Sequence, residues 1–69
     1  MTISDRIRML CAHAHISVAE LARRTGRSPQ AFAGKMKLES FTEKDLQKIA
    51  DAVGYRYVQY FESPDGDRI

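Results

Sequence analysis

Three groups of residues in this 69-residue chain are of types that can do chemistry. The first is basic. Residues 1–37 carry Arg6, Arg8, Arg23, Arg24, Arg27, Lys35 and Lys37 against only Asp5 and Glu20, a balance of +5. Residues 38–69 carry four basic residues against seven acids, a balance of −3. The N-terminal half is therefore the candidate polyanion-binding half, and the plain alternative is a solvated charged face. The second group is Cys11, His13 and His15. Alternate positions on a helix diverge and no second ligand cluster exists, so the spacing does not make a metal site. Cys11 reads as a small buried apolar residue, and the histidines as surface residues near a helix C-terminus. The third group is acidic. Glu39 and Asp45 read as exposed acids near a loop, with no nucleophile–base pairing or carboxylate pair. Neither an enzyme nor a cofactor is expected.

The elements that must position these residues are few. A chain of this length makes one domain, burying only roughly 60% of its unfolded surface. It is 43% apolar and 29% charged, ordinary for a soluble domain. No run approaches the roughly 20 apolar residues that cross a membrane. The N-terminus reads as lacking a signal peptide. With Cys11 alone no internal disulfide can form, and the expected compartment is the reducing cytoplasm.

Punctuation divides residues 1–54 into four helices, leaving 55–69 as an extension of the same domain. The first is expected from about Ser4 to Ala14, with Ile3, Ile7, Leu10, Cys11 and Ala14 forming one apolar stripe. Ser17-Val18-Ala19-Glu20 reads as a reciprocal capping box opening a helix from Val18 to Thr25. Gly26 then suits a left-handed termination. Ser28-Pro29 caps and starts a third helix to about Lys37, with Phe32 and Met36 inward. Thr42 precedes a fourth helix from Glu43 to Val53, lined by Leu46, Ile49, Ala50 and Val53 and stopped at Gly54. From Tyr55 to Glu62 the aromatic-rich pattern predicts a β-strand, and Ser63-Pro64-Asp65-Gly66 predicts a tight turn before a short return at Asp67–Ile69.

The segment Ser17–Lys37 carries the strongest pattern. Ala19 and Ala22 allow close crossing of two helices, Leu21 and Phe32 fill the crossing, and Gly26 permits the turn. Two short helices then meet steeply, with the second presented outward in a form that fits a DNA major groove. The run Ala-Glu-Leu-Ala-Arg-Arg-Thr-Gly-Arg-Ser, then Phe32, then Leu46-Gln47-Lys48-Ile49-Ala50-Asp51-Ala52-Val53-Gly54, resembles the Xre/Cro-like helix-turn-helix family of phage repressors. The resemblance covers about residues 4–54. It implies a mostly α, four-helix repressor-like domain that binds double-stranded DNA and regulates transcription.

By position, the resemblance places Pro29, Gln30 and Ala31 against bases, with Gly34 and Lys35 one turn on. Gln30 can pair bidentately with adenine, worth about 1–3 kcal/mol of discrimination; otherwise it is an exposed helix residue. Arg27, Ser28, Lys35 and Lys37 become phosphate contacts, as do the backbone amides near Ser17 and Val18. Valine at 18 departs from the glutamine common there, and Pro29 stands where a polar reader is common.

The tail residues Tyr55, Tyr57, Val58, Tyr60 and Phe61 have two readings. They cover the helical core in place of a fifth helix, or they form a homodimer interface through an unpaired strand. The alternative to a regulator is a protein-binding adaptor or antitoxin that uses the same fold and engages a partner through this acidic, aromatic tail.

Overall fold

Each helix begins where a hydroxyl side chain can accept a hydrogen bond from an otherwise orphaned amide. In a computed structural model describing residues 1–69, this produces α1 (Ile3–Ala14), α2 (Val18–Arg24), α3 (Pro29–Leu38) and α4 (Glu43–Ala52). Thr2 caps α1 with a reciprocal box to Asp5, two residues before the start expected from Ser4. Ser4 instead is buried and donates its hydroxyl to the Met36 carbonyl at 2.5 Å, tying α1 to the end of α3. Ser28 caps α3 with Pro29 in its first turn, and Thr42 with Asp45 closes a second reciprocal box on α4.

The box expected at Ser17 is only half made. Ser17 accepts from the Glu20 amide at 3.0 Å, but the Glu20 carboxylate turns to Arg23 (3.4 Å) and Arg24 (3.1 Å). Two guanidiniums one turn away outcompete a neutral backbone amide for that carboxylate.

The core collects one apolar face from every helix: Ile7 and Cys11, Leu21 and Ala22, Phe32 and Met36, and Ile49. Phe32 lies at 1% exposure, with the Phe41 ring tilted against it at 5.7 Å between centroids. Gly26 sits at φ +81°, and this left-handed residue lets the Arg27 amide reach back to the Ala22 carbonyl at 2.9 Å. The chain therefore reverses between α2 and α3 without leaving those carbonyls bare.

The strand expected over Tyr55–Glu62, and the hairpin it would begin, are not formed. Residues 55–60 run without regular structure, and one isolated antiparallel bridge joins Glu62 to Arg68. Its neighbours are the mutual Phe61–Ile69 backbone bonds, at 2.7 and 2.8 Å. The reason is the absence of a pairing edge: four helices offer none. The turn itself forms, with the Gly66 amide donating to the Ser63 carbonyl at 2.9 Å and Gly66 at φ +89°.

Candidate nucleic-acid interface

α3 packs its Phe32–Met36 side into the core, and this decides which residues it shows to the outside. With about 3.6 residues per turn, the opposite face carries Gln30, Gly34 and Lys37, flanked by Ala33 and Leu38. All five are exposed. Of the residues expected to meet DNA, Gln30, Gly34 and Lys37 thus share one outward stripe. Ala31 is exposed on the flank toward Lys35, and Pro29 is half-buried at the first turn. Exposed Leu38 ends the stripe and was not foreseen. Its signal was present in the sequence: it falls one turn beyond Gly34.

Gly34 is unusual within this stripe. A Cβ built there meets nothing within 4 Å, and its φ is not in the left-handed region. Neither internal crowding nor backbone conformation requires glycine here, although glycine in a helix interior costs about 1 kcal/mol against alanine.

Arg27 and Lys35, expected as phosphate contacts, converge on a residue read from the sequence as a simple exposed acid. Arg27 Nη2 lies 3.0 Å from Asp45 Oδ1, and Lys35 Nζ lies 3.2 Å from Asp45 Oδ2. The Asp45 side chain is only 13% exposed, with Arg27 at 35% and Lys35 at 24%. The same carboxylate accepts from the Thr42 amide at 3.0 Å. That bond above all, followed by Lys35, lowers the Asp45 pKa from 3.8 to about 2. Glu39 also departs from a plain exposed acid. It ends α3 in the left-handed conformation (φ +53°) and accepts from the Ser4 amide at 3.4 Å.

The sign of the Asp45 shift sets a pH dependence. Its folded pKa lies below the unfolded value, so the stabilisation is complete above about pH 3.8 and fades as pH falls toward 2. Asp45→Asn is expected to lower stability at neutral pH and to lose that disadvantage in acid. Urea unfolding at pH 6, 4 and 2.5 reads the convergence; parallel curves for the two proteins would show that no ion-pair stabilisation is being titrated.

Other foreseen residues are placed as follows. Ser17 and Ser28 are exposed, and their hydroxyls are engaged as acceptors by the caps of α2 and α3. Cys11 is buried, and burial pushes its thiol pKa up, which keeps it protonated and unreactive. His13 is exposed and hydrogen-bonds the Tyr55 hydroxyl, which fastens the start of the tail to α1. Tyr55, Tyr57 and Val58 line a groove of about 340 Å³ with Ile3, Leu10 and Leu46. The tail thus lies along the helices at its start and departs from them near Phe61, which is 80% exposed.

The architecture is a four-helix domain whose α2–turn–α3 pair presents the outer face of α3: a helix-turn-helix domain. The family model of the Cro/C1-type HTH DNA-binding domain matches residues 6–56, which spans all four helices except the first turn of α1. The chain belongs to this family. No curated protein and no solved structure matches it. No helix is long and apolar enough to cross a membrane.

Proposed function

We propose that the chain is a transcriptional repressor that seats α3 in the major groove of double-stranded DNA in the cytoplasm. The observation that carries this reading is the outward stripe of Gln30, Gly34 and Lys37 on the second helix of a helix-turn-helix pair. Gln30 reads a base edge, Gly34 lets the helix backbone come close, and Lys37 meets a phosphate. Arg27 and Lys35 lie on the flank, where the sugar-phosphate backbone runs beside an inserted helix. The chain acts by occupancy rather than catalysis: a protein resting on a promoter excludes others from it.

The active form is a homodimer joined through the tail. The amides of Arg56 to Tyr60 have no backbone acceptor within the chain, and Val58, Tyr60 and Phe61 are exposed. Two tails running antiparallel satisfy those amides and cover the apolar side chains. The symmetry then sets two α3 helices roughly 34 Å apart, one turn of duplex. Sedimentation at tens of micromolar is expected to give a dimer. Phe61→Asp with Val58→Asp should give a folded monomer whose DNA affinity is at least about tenfold weaker, since half of the phosphate contacts are lost. A wild-type monomer at those concentrations contradicts the dimer.

A second reading, an adaptor or antitoxin, is favoured by one observation: Phe61 and Ile69, at 80% and 83% exposure, pair at the open end of the acidic turn that closes the tail. Titrating labelled duplex with protein at 50 and 200 mM salt separates the readings. A regulator loses affinity steeply as salt rises. An adaptor shows no duplex binding at either concentration.

A further inference from the structure

Two of the cations on the flank of α3 are not free. Arg27 precedes α3 and Lys35 lies in its last turn, eight residues on. Each takes one oxygen of Asp45, at the opening of α4, at 3.0 and 3.2 Å. Lys35 is further held over the Phe41 ring, at 5.7 Å from its centroid. By contrast Lys37, on the outward stripe, is exposed and takes part in no ion pair within the chain. The cap on α4 does not require the negative charge, because a neutral amide oxygen can also accept from the Thr42 amide. The charge therefore has a separable effect, and that effect falls on Arg27 and Lys35.

We propose that Asp45 is a positioning residue that sets DNA specificity: its carboxylate holds Arg27 and Lys35 in place beside α3 and cancels half of the positive charge they bring to the phosphate backbone. This rests on the DNA-binding reading above. Attraction to phosphates is independent of sequence, whereas contacts from the outward stripe are not. A half-buried acid between two flank cations weakens the first without touching the second. It thereby widens the gap between the right site and every other duplex. The pair also stays ordered, so each cation reaches a phosphate from a fixed position rather than from a mobile arm.

The test uses the full chain and two duplexes, one selected from a random pool and one of scrambled sequence, titrated between 50 and 200 mM salt. Asp45→Asn keeps the cap and raises the local charge from one to two. Its logarithmic salt slope is expected to steepen by about 0.9, so that its advantage over wild type grows roughly 3.5-fold between 200 and 50 mM. Affinity for the scrambled duplex should rise, and the ratio of selected to scrambled should fall. Arg27→Gln with Lys35→Gln, leaving Asp45 in place, should give a shallower slope than wild type, and this variant decides the matter if Asp45→Asn fails to fold. Unchanged slopes in folded variants overturn the proposal, because a purely structural acid alters stability and not counterion release. Failure of wild type to bind either duplex removes the DNA-binding reading itself, and the proposal falls with it.

Discussion

Phe32→Ala is expected to remove most of the stability of this domain. Phe32 is 1% exposed and stands in the core between Leu21, Met36, Ile49 and the ring of Phe41. Truncating a buried phenylalanine costs about 3–5 kcal/mol, from lost transfer free energy and from the cavity left behind. Folded proteins of this size hold only about 3–10 kcal/mol in all. Relaxation into the cavity is limited, because the neighbouring helices are short and each is pinned by its own cap. Thermal unfolding followed by circular dichroism should show a midpoint lowered by at least about 15 °C, or no transition at all. Phe32→Leu, which refills most of the space, should recover the larger part. A near-wild-type midpoint for Phe32→Ala would mean that the four helices are not held by a common core.

The second large effect is expected at Gly34, and it has opposite signs in two measurements. Gly34→Ala should stabilise the free protein by up to about 1 kcal/mol, because alanine restricts the unfolded chain and favours helix. The added methyl meets nothing within the chain. The same methyl stands on the outward stripe between Gln30 and Lys37, the face that the proposed docking sets against the groove. Duplex affinity is expected to fall at least about tenfold, which corresponds to about 1.4 kcal/mol. Gly34→Glu should abolish binding, since it adds a negative charge against phosphates. Melting temperature and fluorescence anisotropy on the same samples give both signs. If Gly34→Ala gains stability and keeps full affinity, the backbone of α3 does not approach DNA at this position.

How much of this was legible in the sequence depended on the range of the interaction. The helix starts at Val18, Pro29 and Glu43 were readable because a cap is local: Ser or Thr, then three residues, decides it. The stops at Gly26 and Gly54 were readable because glycine announces a left-handed residue. The same backbone closure at His15 and Glu39 was not, because nothing in those side chains marks φ of +59° and +53°. The role of Asp45 needed the tertiary fold, which brings the opening of α4 to Lys35 and Arg27, residues 10 and 18 positions away. The return bond from Glu20 to the Ser17 amide failed because Arg23 and Arg24 compete for the same carboxylate and the charged partners won. In the tail, aromatic residues stated a preference for extended backbone, but a strand also needs a neighbour to bond, and the chain alone supplies only the Glu62–Arg68 bridge.

The order of elements followed from periodicity and caps, and the resemblance made Gln30, Gly34 and Lys37 separate candidates; that these three share one exposed stripe while Lys35 stands off it is a finding of the structure. The electrostatic surroundings of that face did not follow. Arg27 and Lys35 looked free from charge counting alone, because counting cannot show that one acid occupies both.

The central claim is that the outward face of α3 reads DNA sequence, and selection of bound duplexes from a random pool tests it most directly, with Gln30→Ala carried in parallel. The account predicts an inverted repeat with half-sites one helical turn apart, and a variant that relaxes one base position in each half. A pool that never converges, or a consensus that Gln30→Ala leaves unchanged together with Gly34→Ala, would contradict it.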